Sequence, residues 1–581
     1  MILRYLSKRD WLVSIACTFF ILLQIYFDLL IPEYMNRITD HLSAGHSSDI
    51  IMQCGIEMVA CAFLSLVISL IAGVLASRVA ISLSTTLRRL QFEKVQTFSR
   101  DDINHFSAAS LITRSTNDVY NIQNFFARGL NMIIKAPILS VWVISKINSG
   151  AFEWTAVTAF FMILIVSGMA IMMYKFFPYT RRIQWLLDGV NRQTKENIEG
   201  CRVIRAYNAE DQRFETFEQA NRDLYQNNID MLKYTAPINP WIRSMMNVVV
   251  LAIYWVGAGV IVSAGSTGVQ LDLFSDMMVF STYATMVLNA VMMVVSIVRM
   301  IPRTMVSIGR VQEVLDHEPV IRDGTCTDTG SAGVSVEFRN VSFRYEGADS
   351  QTLQDISFKV EPGQTFAIIG GTGSGKSTLV SLIARMYDAQ EGSVLVDGRD
   401  VREYTLEALR ARLGYVSQKA IIFSGSIRDN VNFGRGSDDV TDGQIWHALD
   451  VAHATEFVSR YEEGLDASIS QHGRDVSGGQ KQRICIARAV CHRPPMYIFD
   501  DSFSALDFKT DREVRESLAA ESRDATKIIV AQRIGTIMDA DCIAVLEGGR
   551  LVGLGTHDEL MGTCTEYRDI AESQLMEGGS Q

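Results

Sequence analysis

The run Gly370-Gly371-Thr372-Gly373-Ser374-Gly375-Lys376-Ser377 has the pattern G-x-x-x-x-G-K-S. Small residues at this density let backbone N–H groups close around phosphate oxygens. A lysine at this spacing reaches the outer phosphates, and the next hydroxyl can ligate Mg2+. The apolar run TFAII lies just before it, and TLVSLIARMY, starting at Thr378, has helical character. The run therefore sits between a strand and a helix, the context such a loop needs. A nucleotide site built from Gly370 to Thr378 is expected, with Ser377 on the metal. Further along, the apolar stretch Met496–Phe499 ends in Asp500-Asp501. Alone, that could be a buried strand followed by a helix cap. Beside a phosphate loop, the strand-end carboxylate Asp500 is expected to hold Mg2+.

The rest of the chain must position these groups, and it is too long to do so with one core. It has 581 residues, 48% hydrophobic against 20% charged, with a mean hydropathy of +0.13. At least two domains are expected, and the hydropathy requires long apolar runs. A net charge of -11 argues against a nucleic-acid binder, which needs a positive surface field. The nine cysteines show no C-x-x-C pair and no metal-ligand spacing, so they read as small apolar fillers.

Six apolar runs approach the ~20 residues a helix needs to cross hydrocarbon. They are Trp11–Ile31, Ile50–Ala76, Gly129–Ile144, Thr155–Tyr174, Met245–Val262 and Met277–Val298. The first lacks a small-residue cleavage site and reads as a retained span; the third is short and carries Lys135. Orientation follows from the basic residues. Arg4, Lys8 and Arg9 precede the first span, and Arg78, Arg88, Arg89, Lys94, Arg100 and Arg114 follow the second. Lys175, Arg181, Arg182, Arg192, Lys195, Arg202 and Arg205 follow the fourth, whereas Gly265–Asp276 has Asp272 and Asp276 and no Lys or Arg. The two long basic connections therefore face the cytoplasm. They are rich in helix formers and are expected to continue the spans as levers. A polar, turn-rich stretch after Arg310 reads as a linker. From about Val334, short β-rich runs alternate with helical ones, which describes an α/β domain.

Val476-Ser477-Gly478-Gly479-Gln480, followed by KQRICIARAV, resembles the signature of ATP-binding cassette (ABC) proteins. Nearly the whole chain resembles an ABC exporter half-transporter. The resemblance implies a six-helix membrane domain of the type IV exporter kind at 1–315 and a linker at 316–333. An α/β P-loop cassette with a helical subdomain would occupy 334–575, and a tail 576–581. Tyr345 is similar to the aromatic that stacks on adenine, and Gln418, in YVSQ, to the Q-loop residue that senses Mg2+ and the membrane domain. Ser504-Ala505-Leu506-Asp507 resembles the D-loop. Ala109–Asp118 and Gly200–Glu210 are similar to the two cytoplasmic coupling segments. The family fold also implies a head-to-tail dimer, each ATP lying between the glycine loop of one chain and Ser477, Gly478, Gly479 and Gln480 of the other.

Two residues depart from the family pattern. Active cassettes place Glu after the Mg2+ aspartate, where it orients the attacking water; here Asp501 stands there, with its carboxylate drawn back by roughly 1 Å. A misplacement of that size can cost on the order of 10²-fold. Where such cassettes have His against the γ-phosphate, IIVAQRIGTI has Gln532, which can donate a hydrogen bond but carries no charge. The resemblance then points to the degenerate-site subunit of heterodimeric bacterial multidrug exporters. Such a chain binds ATP at a slow site and completes a competent site on a non-identical partner. A homodimer with tolerated substitutions, a lipid or lipid-linked precursor flippase, and an ATP-gated regulatory or channel subunit stay open.

The substrate is less legible. Met277, Met278, Met286, Met292, Met293, Met300 and Met305 could line a pliable apolar pocket or fill gaps between helices. Asp28, Glu33 and Glu57 lie in or near spans, where carboxylates rarely face lipid. They could pair with cationic substrates or sit at the interface. Asp272 and Asp276 could gate the external side.

Overall fold

The computed structural model describes residues 2–43, 46–147, 152–264, 266–328, 334–434, 440–470, 473 and 475–578. The end of the expected linker (329–333) and the last three residues of the expected tail lie outside them, as does Gly265. The chain divides into two units, Met1–Lys94 with Ala109–Asp316, and Val95–Ala108 with His317–Gln581.

The first unit is helical: α1 (Lys8–Ser43), α2 (Ser48–Gln96), then, after a short helix of the second unit (α3, Arg100–Phe106), α4 (Ala108–Thr113) and α5 (Val119–Ile147). It continues through α6 (Phe152–Glu199), α7 (Cys201–Ala206), α8 (Glu210–Thr235), α9 (Ile238–Ser263) and α10 (Thr267–Asp316). Among the described residues six segments are long and apolar enough to span a bilayer, and each takes in one of the expected runs, except that the third ends at Val143, one residue short of the expected Ile144. The 49 residues of α2 rise about 73 Å at 1.5 Å each, more than twice a ~30 Å hydrocarbon core, so such helices must project beyond it. Cys17, Ile21 and Ile25 of α1 pack in one buried cluster with Ala72 and Ala76 of α2, Val249 and Ile253 of α9 and Ala284 of α10. The alanines let the backbones approach, and Cys17 Sγ donates to the Ala72 carbonyl at 3.4 Å. Outward-facing side chains such as Ile163 (70% exposed) and Leu251 (66%) are apolar, as lipid contact requires.

Two expectations need correction here. Asp28 does not await a cationic substrate: it accepts from Lys135 Nζ at 2.8 Å and from Ser65 Oγ. Carrying a lone charge into a span is costly, and this pair on α1 and α5 removes that cost for both groups. Ala109–Asp118 forms α4 and a π-helical turn (Arg114–Asp118) within the first unit, while the preceding 95–108 groups with the cassette. Finally, Cys201 is exposed, so it fills nothing, whereas Cys17, Cys54, Cys61, Cys485, Cys491 and Cys564 are buried.

The second unit is α/β. β1 (Val336–Phe343), β2 (Leu353–Val360), β4 (Glu391–Val396) and β5 (Arg399–Asp400) form an antiparallel sheet in the order β2-β1-β4-β5. The main sheet comprises β3 (Thr365–Gly370), β6 (Leu413–Val416), β7 (Met496–Asp500), β8 (Thr526–Val530), β9 (Cys542–Glu547) and β10 (Arg550–Gly555), in the order β10-β9-β3-β8-β7-β6. Its pairs are parallel except β9–β10. Period-two burial explains how it carries two cores. Phe366 and Ile368 face one side with Leu379 and Ile383 of α11 (Lys376–Ile383), while Ala367 and Ile369 face the other. That second core includes Ile484 and Ala487 of α12 (Gly478–Cys491), the main helix of a helical subdomain.

What read as a linker is tied down in part. Thr325 and Cys326 N–H both donate to the Glu403 carbonyl at 2.9 Å, and Thr405 N–H donates back to Cys326. In α3 and its flank, the Asp102 carboxylate accepts from Ser99 N–H and Oγ, from Val320 N–H and from His317 Nε2 at 2.6 Å. Two segments more than 200 residues apart are thereby joined through one carboxylate.

Candidate nucleotide site

β3 ends at Gly370 and α11 begins at Lys376, with Gly375 as its N-cap at φ +97°. Only glycine fits two of these positions. A Cβ on Gly370 would lie 2.1 Å from the Leu546 carbonyl oxygen, and one on Gly375 would lie 2.6 Å from Leu353 Cδ2. The loop walls a pocket of about 290 Å³ that Tyr345, Thr372, Gly373, Ser374, Gly375, Lys376, Ser377, Thr378, Gln418, Asp501 and Gln532 also line. Most of the expected site residues therefore meet, drawn from β3, α11 and the ends of the strands beside them.

The wall suits a phosphate chain and a hard cation. Ser374 Oγ is buried without a hydrogen-bond partner, an unusual expense unless a ligand supplies one. Lys376 Nζ donates to the Gly370 and Gly371 carbonyls at 2.7 and 2.8 Å. Burial lowers its pKa, against the pull of Asp501 and Asp500. Ser377 Oγ donates to Asp500 Oδ1 at 2.7 Å, a hydroxyl–carboxylate pair of the kind that holds Mg2+ with phosphate oxygens. The Asp500 carboxyl sits above the usual range because it is buried and because Asp501 is close by, although the Ser377 bond opposes the rise. Tyr345 OH is 2.8 Å from Thr378 Oγ1, and its ring meets Tyr387 edge-on at 5.3 Å.

Asp501 is the most constrained of these residues. It adopts φ +48°, a left-handed conformation uncommon outside glycine. Its N–H donates to the Val530 carbonyl at 3.0 Å, and its own carbonyl accepts from Ser504 Oγ at 2.9 Å. Side-chain Oδ2 accepts from both Gln418 Nε2 (3.1 Å) and Gln532 Nε2 (2.7 Å). Burial raises its pKa, and the two amides and Lys376 pull it back.

Sequence reasoning missed the device that holds Gln532. Gln574, on α13 (Thr565–Gly578), donates to the Gln532 carbonyl at 2.7 Å and accepts from Ile534 N–H at 2.8 Å. Forty-two residues separate it from Gln532, and no local pattern marks it. Tyr415, whose OH approaches Asp500 Oδ2 at 3.5 Å, is a position the sequence could have offered, since it lies on β6, just ahead of Gln418.

Ser477, Gly478, Gly479, Gln480 and Asp507 do not line the pocket. Ser477 and Gln480 form a capping box that opens α12, with Ser477 N–H to Gln480 Oε1 at 2.9 Å. Ser477 and Gly478 are exposed, and a Cβ on Gly478 would meet nothing within 4 Å. Asp507 caps the next helix through Thr510 N–H at 3.0 Å.

Residues 14–295 match the family model described as the ABC transporter transmembrane region, and residues 353–504 match that of the ABC transporter. An uncharacterized ABC transporter ATP-binding protein of Mycobacterium tuberculosis is 38% identical over 94% of this chain and 93% of its own length. An ATP-dependent lipid A-core flippase of Aromatoleum aromaticum is 29% identical over 86% of this chain and 82% of its own. A solved structure of a bacterial Atm1-family ABC exporter with ATP bound superposes with a TM-score of 0.81 at 22% identity, covering 98% of each chain, which shows the fold.

Proposed function

The chain belongs to the ABC transporters, and from that premise we propose that it is the slow-site half of a heterodimeric exporter of amphipathic small molecules. Membership implies ATP binding, with hydrolysis coupled to transport by a dimer of half-transporters, and a multi-pass membrane protein whose ATP-binding part is cytoplasmic. The slow-site reading is carried by one observation: Gln418 and Gln532 both donate to the same oxygen of Asp501. A water-orienting carboxylate acts by accepting from the attacking water. Here the carboxylate is shortened by one methylene and one of its oxygens already accepts from two neutral amides, while Gln532 cannot bring positive charge to the γ-phosphate.

Bound Mg2+ would neutralise charge on the outer phosphates. Lys376 and the loop N–H groups bind and orient the triphosphate, Ser377 and Asp500 hold the cation, and Tyr345 packs on the base. Ser377 thereby keeps its role whatever the fate of Asp501, so nucleotide binding survives where turnover does not. The intact Ser477–Gln480 segment supports the second half of the proposal, since it lines none of this chain's own nucleotide pocket and its Ser477 and Gly478 are exposed, free to meet a partner's nucleotide. That partner would carry Glu and His where this chain has Asp501 and Gln532. Similarity to a flippase supports an amphipathic cargo, with lipid included in that class.

Mg2+-ATPase activity is measured on the purified chain alone, on the chain with its partner, and on Asp501→Glu with Gln532→His. Near silence alone, activity with the partner and a gain on the order of 10²-fold in the double variant are expected. Brisk turnover by the lone chain, unchanged by the substitutions, would mean a homodimer with tolerated variants. ATPase that ignores every transported compound would instead favour the regulatory subunit.

A further inference from the structure

Two adjoining cavities lie among the helices of the membrane unit. One, about 490 Å³, is lined by Asn121, Asn124 and Arg128 of α5 and by Arg303 of α10. The other, about 430 Å³, is walled by Met286, Met292 and Met293 of α10. Met132 and Ser296 line both, so the two adjoin, and together they present a cationic end and an apolar end.

The charge distribution along this space is lopsided. At the apolar end, Lys135 and Asp28 neutralise each other at 2.8 Å. At the cationic end, two guanidinium groups 175 residues apart in sequence share one wall, and neither has an acidic partner among the described residues. The acids nearest them in sequence, Asp118 and Glu313, are engaged elsewhere: Asp118 accepts from Ser307 Oγ at 2.7 Å and lies 3.9 Å from Arg310, and Glu313 pairs with Arg114 at 2.7 Å. Asn121 and Asn124 add neutral polar groups that can bond an oxyanion, and the methionines present flexible, polarizable surface that adapts to varied apolar shapes.

We propose that this space binds amphipathic anions, the acidic head held by Arg128 and Arg303 and the apolar body by the methionines. The inference names a substrate class for the exporter proposed above and rests on that reading. It selects against cationic amphiphiles, because Asp28, the carboxylate among the described lining residues, is already paired with Lys135.

The test is equilibrium binding to the full chain in lipid nanodiscs without nucleotide, so a failure of the slow-site reading, which shows in ATPase rates, stays distinct. Dansyl-undecanoate and its dansyl-undecylammonium counterpart are titrated by fluorescence. The carboxylate is expected to bind at least about tenfold more tightly than the ammonium. Arg128→Gln with Arg303→Gln should weaken it by about tenfold or more, and the two lysine replacements should retain most of the affinity. Arg303→Glu should raise the affinity for the ammonium probe, a gain that a misfolded variant cannot give. Equal binding of both probes, or carboxylate affinity untouched by the glutamine pair, would overturn the proposal and leave the arginines as solvated charges of the cytoplasmic side.

Discussion

The nucleotide pocket and the membrane cavity solve opposite charge problems. At the nucleotide site, three ionisable groups lie in or beside the pocket wall, and each is answered inside the chain: Lys376 by loop carbonyls, Asp500 by Ser377, Asp501 by two glutamine amides. In the cavity, one pair is answered (Asp28 with Lys135) and two arginines are not. A site whose groups satisfy one another is set before its ligand arrives and changes little on binding. A site with uncompensated like charge draws its specificity from the ligand that compensates it. The first favours affinity without turnover, the second discrimination by charge.

The sharpest way to break this contrast is Lys376→Ala. It should lower ATP affinity at this site by about 100-fold, the upper range for hydrogen bonds to a charged group, read by photolabelling with an azido-nucleotide. Dansyl-undecanoate binding in nanodiscs should be unchanged. Loss of both would mean that the two sites are not separable.

A smaller effect is expected from Lys135→Met, which strands the Asp28 carboxylate among the spans. Because both partners retain some exposure (14% and 24%), the cost should fall below that of a fully buried pair, about 2 kcal/mol. It is read as a drop in melting temperature of the nanodisc-embedded chain. Adding Asp28→Asn should recover most of it; if it does not, the pair serves packing rather than charge.

Asp102 calibrates the smallest effect. Burial pushes this carboxyl up, but His317, Ser99 and Val320 donate to it and hold it below the usual range, the reverse of Asp501. A carboxylate pKa depressed on folding contributes stability above the unfolded value, near 3.9, and loses it as pH falls through the folded value. Asp102→Asn should therefore cost about 1 kcal/mol at pH 7, the gap narrowing as pH is lowered through the ordinary carboxylate range. A pH-independent gap would mean that the carboxylate's charge contributes nothing to joining 95–108 to the cassette unit.

Much of the molecule was written locally. The phosphate loop, the carboxylate after Met496–Phe499 and the signature are each contiguous, because backbone geometry around a phosphate or at a helix start is decided by neighbours in sequence. The six spans follow from a length requirement that any bilayer imposes, and the α/β class of the cassette from short β-rich runs such as TFAIIG alternating with helical ones. The departures at Asp501 and Gln532 were visible at once. That both glutamine amides land on one Asp501 oxygen, and that Gln574 reaches back to hold Gln532, was not. Likewise, Asp28 meeting Lys135, 95–108 grouping with the cassette, and Arg128 facing the same space as Arg303 depended on which faces of long helices the packing turned together. Side-chain chemistry and local backbone shape belong to short stretches of sequence; pairing between distant charges exists only once tertiary packing has chosen which of many apolar helix faces lie against each other.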